Sequence, residues 1–485
     1  MKKNFLKEIL VYAPGILFPS AIRYLSLKLF TNFFSQNTYG ILTLILTVYQ
    51  LFSVCIYGWL NVTLMRFYTS DENENKESVI NNIFILFLTV YVIVTLLLLL
   101  VINYIAIFND INHLSIVLLI IAIGITSLQE MIFILLRIYH KSTLFSLTKV
   151  FSSILGISIS LTLIYYVALD VEAVLIGYII PHLIVVLFLF NRLKLNKKFS
   201  FKYFNLIEIK TFLKFGAPLI LTFLSTWILS LSDRLLLKAL TSNTEVAIYS
   251  VAYTISNSII SIFSSVLIFV AYPILIKKWE TEGEIASLEI LKKINKYLLI
   301  IICPIITCLV VFSRDIIVLF SSYLYLEGAR IIPLVAIGSL FYSIYMHNNK
   351  LFILKKNTQS LSKIVFFAAI FNIILNLLLI PIYGALGASI ATLFAYIILF
   401  LLTNYYANIK LKQVIDISSA IRIGLFTVLV IVILNLTKNF NYIFIIGELF
   451  VLSIIYVYFI YKMEAEKEIK EKFINLIKKG GKNEK

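Results

Sequence analysis

Charged residues are scarce in this sequence: Asp, Glu, Lys and Arg make up only 14% of its 485 residues. Soluble domains are about a quarter charged and about half apolar. Here 61% of the residues are hydrophobic. The composition therefore excludes an ordinary soluble protein and predicts a chain that is mostly buried in lipid.

Cysteine is also rare, and the three present, Cys55, Cys303 and Cys308, all lie in apolar segments. They form neither a disulfide framework nor the spacing of a metal site. The sequence contains no P-loop, no H-E-x-x-H and no Ser-His-Asp arrangement. We therefore expect no enzyme activity, no catalytic residues, no bound metal, no organic cofactor and no direct use of ATP.

Long uncharged runs take up most of the chain, for example residues 83–108. About 20 apolar residues cross a bilayer as a helix, and these runs are continuous rather than alternating. We predict an all-α polytopic membrane protein with about 14 transmembrane helices. The predicted spans are 8–30, 40–66, 79–107, 114–139, 146–169, 172–191, 211–239, 246–276, 289–312, 328–354, 361–382, 386–408, 418–436 and 440–461.

The net charge of +17 is concentrated in alternate connections between these spans. The positive-inside rule assigns the basic connections to the cytoplasm, which predicts that both termini are cytoplasmic. Topology explains the positive charge, and no nucleic-acid-binding motif accompanies it. We expect a multi-pass protein of a bacterial or archaeal cytoplasmic (inner) membrane.

Parts of the two halves of the sequence can be superposed. When the first span is laid over the seventh, Lys28 meets Lys238 and Thr31 meets Thr241. Parallel repeats of this kind occur in transporters that bind substrate between their halves. The predicted organisation is two six-helix lobes, two extra helices and a basic amphipathic cytoplasmic tail, at residues 1–195, 205–410, 411–463 and 464–485.

Three segments carry a family resemblance: residues 213–253, 319–341 and 372–399. The third, NIILNLLLIPIYGALGASIATLFAYIIL, contains N-x-x-x-N, I-P and G-A-x-G-A-S elements. Together they resemble the Wzx-type polysaccharide-biosynthesis flippases of the MATE-like (MOP) transporter superfamily. Read physically, Pro381 ends a helix, Gly384 permits a turn, and the small residues after it allow close packing.

The resemblance implies a MATE-like fold and a flippase for cell-surface polysaccharide assembly. Its substrate would be a polyprenyl-pyrophosphate-linked oligosaccharide, which moves from the cytoplasmic to the outer leaflet by alternating access. The implied partners are the bilayer, this lipid-linked sugar and other polysaccharide-assembly membrane proteins. A proton or a sodium ion would couple the transport.

Several ionisable residues stand inside the apolar spans, where a charge is costly and usually faces a cavity. Five cations near predicted outer ends are the candidate wall for the pyrophosphate, because Arg and Lys bind phosphate: Arg23, Lys28, Arg234, Lys238 and Arg330. The alternative for Arg234 and Lys238 is that they extend to the membrane interface.

Three further residues are candidates for the cavity or for ion coupling. Asp233 could pair with a cation on another helix, and Trp227, two helical turns from Arg234, could line the sugar path. Glu130 could carry a coupling proton or sodium ion, or could simply pair with Arg137 or a loop lysine.

Other functions remain open at the level of sequence. A MATE-type exporter of small cations would need acidic residues in its cavity, whereas the intramembrane charge here is mainly basic. A membrane polymerase or glycosyltransferase would need a sizeable outer loop, and the predicted loops are short. A third alternative is a scaffold protein that transports nothing, and the two-lobe repeat argues against it.

Overall fold

The computed structural model describes residues 2–69, 76–102, 110–195, 203–355, 357–407, 410–437, 448–449 and 451–462. Within these ranges the chain is helical and contains no strand. A helix satisfies its backbone hydrogen bonds internally, which lipid requires because it offers no bonding partners. The predicted all-α class is therefore confirmed for the described part of the chain.

The α-helices follow one another with short connections. They are α1 (Lys2–Phe33), α2 (Gln36–Ser53), α3 (Trp59–Thr69), α4 (Lys76–Ile102), α5 (His113–Ile138), α6 (Ser142–Val167), α7 (Val171–Arg192), α8 (Leu206–Leu240), α9 (Asn243–Val311), α10 (Ser313–Phe320), α11 (Ile332–Asn348), α12 (Lys350–Leu354), α13 (Thr358–Tyr406), α14 (Leu411–Val414), α15 (Ile417–Thr437) and α16 (Val451–Lys462). A π-helical turn, Val54–Gly58, joins α2 to α3, and a 3₁₀ helix, Tyr323–Arg330, precedes α11.

Nine helices among the described residues are long and apolar enough to cross a membrane, or ten if one bent pair counts as a span. Two of the nine are very long: α9 has 69 residues and α13 has 49. At 1.5 Å per residue α9 measures roughly 100 Å, enough for two crossings. Non-helical glycines, Gly283 and Gly384, divide the two helices, so each contains two predicted spans. The observed helices are consistent with about fourteen spans.

The predicted span 328–354 differs from the observed structure at its start. The 3₁₀ helix Tyr323–Arg330 meets the following helical segment at an angle of 58°. A 3₁₀ helix bonds each residue to the third rather than the fourth along the chain. Hydropathy alone does not distinguish it from the start of an α-helix.

The chain forms two compact units. The first contains Met1–Ile255, Arg314–Gly338 and Thr358–Leu399, and the second contains the remaining segments. These units are defined by packing, whereas the lobes 1–195 and 205–410 were defined by a sequence repeat. The lobes and the extra pair 411–463 therefore stay a prediction, and the tail 464–485 lies outside the described residues.

Close backbone contact joins α6 and α7 in the first unit. A Cβ atom placed on Gly156 would lie 3.0 Å from the carbonyl oxygen of Gly177. A Cβ atom on Gly177 would lie only 2.1 Å from Oγ of Ser160. Small residues allow this approach, which replaces hydrophobic side-chain packing between helices in lipid.

A buried polar network holds part of the second unit together. His347 contacts Oδ1 of Asn295 at 3.1 Å and Oγ of Ser264 at 3.2 Å, and these partners lie on opposite sides of the Gly283 bend. Asn295 also donates to the carbonyl oxygen of Val414 at 3.0 Å. Buried polar groups in such networks satisfy one another in place of water.

The bend in α13 confirms that the chain turns at Gly384, with φ +55° and ψ −133°. Pro381 lies inside the helix before the bend rather than at its end. The carboxylate of Glu245 accepts a hydrogen bond of 2.7 Å from the backbone N–H of Ala385. Glu245 therefore caps the second half of α13, a role that the sequence analysis did not predict. Ala388 is fully buried, as expected for a packing residue.

We expect Gly384→Ala to destabilise the protein by about 1–3 kcal/mol, the cost of a non-glycine residue in this backbone conformation. The new Cβ atom would also lie 2.6 Å from the Glu245 carboxylate, disturbing the cap. Thermal unfolding of the purified protein in detergent measures the effect. Gly424→Ala is the matched control, because a Cβ atom there meets nothing within 4 Å. Equal melting temperatures for the two variants would contradict this account of the bend.

Candidate functional site

Asp233 and Arg234 form a buried ion pair near the C-terminal end of α8. A guanidinium nitrogen of Arg234 lies 3.2 Å from Oδ1 of Asp233. Arg234 is 5% exposed and Asp233 is 1% exposed. Arg234 also donates to Oγ of Ser250 at 3.2 Å and to the carbonyl oxygen of Ser230 at 3.1 Å. The charges of both groups are thus compensated inside the protein.

Hydroxyl groups and aromatic rings surround this pair. Tyr249 donates a hydrogen bond to Oδ2 of Asp233, and Thr392 lies 3.5 Å from the same oxygen. The guanidinium of Arg234 lies 4.8 Å from the ring centre of Tyr253, within the range of a cation–π interaction. We call these residues, Asp233, Arg234, Tyr249, Tyr253 and Thr392, the Asp233 cluster.

Lys238, one turn after Arg234, has a different partner. It forms an ion pair with Asp110, which lies just before α5. Oδ2 of Asp110 also accepts a hydrogen bond of 3.0 Å from Asn243 at the start of α9, and Asn243 donates to Asn37 at 2.8 Å. These contacts tie the end of α8 to the predicted N-terminal lobe.

Lys28 binds the C-terminal end of α10. Its ammonium group donates to the carbonyl oxygens of Val318 and Ser321, at 2.5 and 2.6 Å. The last carbonyl groups of a helix have no partners within the helix, so a lysine there satisfies them and interacts favourably with the helix dipole. Lys28 therefore has a structural role in this conformation.

Arg23 lies in a more accessible group of polar residues. Arg23 is exposed, and both it and Glu130 are close enough to Tyr178 to act on it electrostatically. Glu130 also acts on Tyr57 and lies 3.9 Å from the ammonium group of Lys149. We call these residues, Arg23, Tyr57, Glu130, Lys149 and Tyr178, the Arg23 cluster. It combines residues of four helices, α1, α5, α6 and α7, and of the π-helical turn Val54–Gly58.

The five predicted cations do not form one continuous wall in this structure. Arg234 is buried beside Asp233, Lys238 pairs with Asp110, and Lys28 binds α10, whereas Arg23 and Arg330 are exposed. The idea that Arg234 extends to the membrane interface is wrong, because its side chain is enclosed. The suggestion that Asp233 pairs with a cation on another helix is also wrong, because its partner is the adjacent residue.

The two remaining candidates take different positions. Trp227 is only 7% exposed, and its indole N–H finds no acceptor among the described residues. It is therefore enclosed, rather than open to a passage, in this conformation. Glu130 pairs with Lys149, which lies within α6 rather than in a loop, and not with Arg137. No group of three or more His, Cys, Asp or Glu residues that could bind a metal ion occurs in the part of the chain described here.

The sequence analysis missed the tyrosines that complete both clusters. Tyr249 and Tyr253 are four residues apart on α9, so they share a face. Tyr253 reaches Tyr396 of α13, with 2.9 Å between the two hydroxyl oxygens. Their spacing in IYSVAYT was a usable signal, but it could not reveal which helix they face.

Comparison with known proteins identifies the family. A family model described as "Polysaccharide biosynthesis protein" matches residues 29–330, more than half of the chain. This chain belongs to the polysaccharide biosynthesis protein family. An uncharacterized membrane protein of Methanocaldococcus jannaschii is 26% identical over 205 residues, which cover 42% of this family member and 40% of the archaeal protein. The match thus spans well under half of that relative.

Solved structures show the same fold. A lipid II flippase, MurJ, in an inward closed conformation matches with a TM-score of 0.69 at 20% identity, covering 95% of this chain and 98% of its own. An inward-facing multidrug resistance MATE transporter of the MOP superfamily matches with a TM-score of 0.60 at 15% identity. The match covers 82% of this chain and 98% of the transporter. A Vibrio cholerae MATE transporter matches with a TM-score of 0.58 at 14% identity, and the match covers 84% of this chain and 96% of that transporter.

Family and fold together identify the general class of this protein. It is a multi-pass membrane protein of the polysaccharide biosynthesis protein family, with a MurJ- and MATE-like fold. The three structural relatives have identities of 20% or below, so they establish the fold and leave the substrate open.

Asp233→Asn should destabilise the protein by about 3–5 kcal/mol, because it leaves the Arg234 charge buried without its counter-ion. Removing both charges, with Asp233→Leu and Arg234→Met, should restore most of the lost stability, since apolar residues replace buried ion pairs at little cost. Unfolding curves of the single and double variants in detergent test this. A double variant no more stable than Asp233→Asn would contradict a simple charge-compensation role.

The Asp110–Lys238 pair predicts a pH effect. The hydrogen bonds from Lys238 and then Asn243 lower the pKa of Asp110 below its usual 3.8. Because the pKa of Asp110 is lower in the folded protein, the ion pair contributes its full stability at pH values above 3.8. This stability is lost as the pH falls through the lowered pKa of the folded protein. Because 46% of the Asp110 side chain is exposed, we expect at most about 1 kcal/mol. In a carboxyl NMR titration, Lys238→Met should raise the pKa of Asp110 toward 3.8, and an unchanged pKa would contradict the assignment.

Proposed function

We propose that this protein is a flippase for cell-surface polysaccharide assembly. It moves a polyprenyl-pyrophosphate-linked oligosaccharide from the cytoplasmic to the outer leaflet by alternating access. Membership of the polysaccharide biosynthesis family supports the pathway, and the fold shared with a lipid II flippase over 95% of the chain supports the type of transport.

The observation that carries the proposal is the Arg23 cluster. An exposed arginine, Arg23, lies near Tyr178, and Glu130, which is near Tyr57 and Tyr178, is paired with Lys149. A guanidinium group can bond two phosphate oxygens at once, and tyrosine offers a sugar both an apolar ring face and a hydroxyl. This combination suits a substrate that joins a pyrophosphate to a sugar.

The main intramembrane carboxylates argue against the alternative, a MATE-type exporter of small cations. Asp233 is paired with Arg234 and Glu130 is paired with Lys149. A carboxylate whose charge is already compensated attracts a cationic substrate weakly. With Arg23 and Arg330 exposed in addition, the electrostatic balance favours an anionic substrate.

Alternating access requires contacts at one end of the protein to break in each cycle. Lys28 with α10 and Lys238 with Asp110 are such contacts, because each joins residues of the two predicted lobes. The predicted topology assigns both to the outer side, so the proposal treats this conformation as closed outward. Cytoplasmic termini and a bacterial or archaeal inner membrane belong to the same proposal.

A proton or sodium ion is the proposed coupling agent, with no organic cofactor. Glu130 is the better candidate carboxylate, because 36% of its side chain is exposed and its partner Lys149 is as far as 3.9 Å away, so a small ion can replace the lysine there. Asp233 is enclosed. Asp233 would take part only if the surrounding tyrosines moved. Other polysaccharide-assembly membrane proteins are the proposed partners that supply the substrate and use the product.

The decisive assay is transport in proteoliposomes. A fluorescent polyprenyl-pyrophosphate oligosaccharide is offered beside the cationic dye ethidium, with and without proton and sodium gradients. We expect the lipid-linked sugar to reach the far leaflet while the dye stays behind. Arg23→Gln should reduce sugar transport at least about tenfold, the value of one charge-assisted hydrogen bond to phosphate.

Lys277→Gln is the matched control, because it removes another exposed positive charge, from α9, which contributes no residue to the Arg23 cluster. It should transport normally. Dye export without sugar movement would overturn the flippase proposal in favour of the cation exporter. Normal sugar transport by Arg23→Gln would retain the flippase and reject this substrate site.

A further inference from the structure

A second basic site, which shares no residue with the Arg23 cluster, lies where the turn between α5 and α6 meets the end of α7. A cavity of about 390 Å³ opens there. His140 and Lys141 from the turn and Arg192 from the last turn of α7 line it, together with the hydroxyl residues Ser142 and Thr143. Two separate chain segments thus bring three basic side chains to one small cavity.

Within the described part of the chain, no acidic residue is paired with Lys141 or Arg192 at this cavity. No Asp or Glu among the described residues lines the cavity. The side chains of Lys141 and Arg192 are both exposed. The first turn of α6 adds backbone N–H groups, since the side chain of Lys141 does not cap them. The cavity therefore suits a phosphate group.

The other wall of the cavity is apolar and continues along the helices. Leu144 and Leu147 form this wall, and Leu147 is 64% exposed. Phe151, four residues further along α6, is exposed on the same face. On α7, the exposed Phe188 lies four residues before Arg192 and extends the apolar surface from the basic residues into the span.

We infer that this cavity binds an anionic phospholipid. The phosphate would contact Lys141, Arg192 and the start of α6, while an acyl chain would follow Leu147 and Phe151. Basic pockets between transmembrane helices on the cytoplasmic side are suited to anionic lipid head groups. The positive-inside rule predicts that side for these residues. The apolar wall favours a lipid over a free phosphate ion, because a phosphate ion has no apolar part to contact that wall.

Native mass spectrometry of the delipidated protein in detergent tests the inference. The probes are dioleoyl phosphatidylglycerol, dioleoyl phosphatidylcholine and inorganic phosphate. Wild-type protein should bind phosphatidylglycerol at least about tenfold more tightly than phosphatidylcholine, given about 1 kcal/mol per basic residue near the surface. The variant Lys141→Gln with Arg192→Gln should lose this preference.

Two controls keep the result specific to the cavity. Lys277→Gln with Lys293→Gln removes the same charge from exposed positions on α9 and should keep the preference. Lys141→Arg with Arg192→Lys preserves the charge and should also keep it. Equal loss of binding in both neutralised variants would indicate a general charge effect and overturn the proposal. Inorganic phosphate that binds as tightly as phosphatidylglycerol would also overturn it, in favour of a site for soluble anions.

Discussion

Hydrocarbon supplies no hydrogen bonds, and this constraint determines most of what is seen here. Backbone groups satisfy one another within helices, and many hydroxyl side chains do the same by bonding a carbonyl group one turn earlier. Thr31 bonds the carbonyl oxygen of Leu27 at 2.7 Å, and Thr241 bonds that of Leu237 at 2.6 Å. Where a helix is interrupted, a side chain takes over, as Glu245 does at the bend after Gly384.

The same constraint separates two kinds of charged residue. Asp233 and Arg234 are enclosed and provide each other's charge compensation, assisted by tyrosine and threonine hydroxyl groups. Arg23 and Glu130 keep contact with the solvent-accessible surface. Groups of the first kind maintain a conformation, whereas the proposed function assigns groups of the second kind to the substrate or the coupling ion.

Sequence was sufficient for the helices, the fold class and the turn at Gly384, because hydropathy and glycine act locally along the chain. It was insufficient for the partners of the charged residues. Helical spacing placed Arg234 and Lys238 on one face, but their side chains reach Ser250 and Asp110, which belong to other helices or loops. Lys28 and Ser321 are 293 residues apart, and no local pattern indicates their contact.

The glycine contact between α6 and α7 has a mechanical consequence. Gly156 and Gly177 bring the two backbones together, so at this point no side chain lies between them that could change rotamer and absorb a shift. The two helices should therefore move together as one rigid body. A lipid head group bound by Lys141 and Arg192 would then act on one end of this rigid pair of helices. The lipid composition of the membrane could in this way influence how readily the remaining helices rearrange.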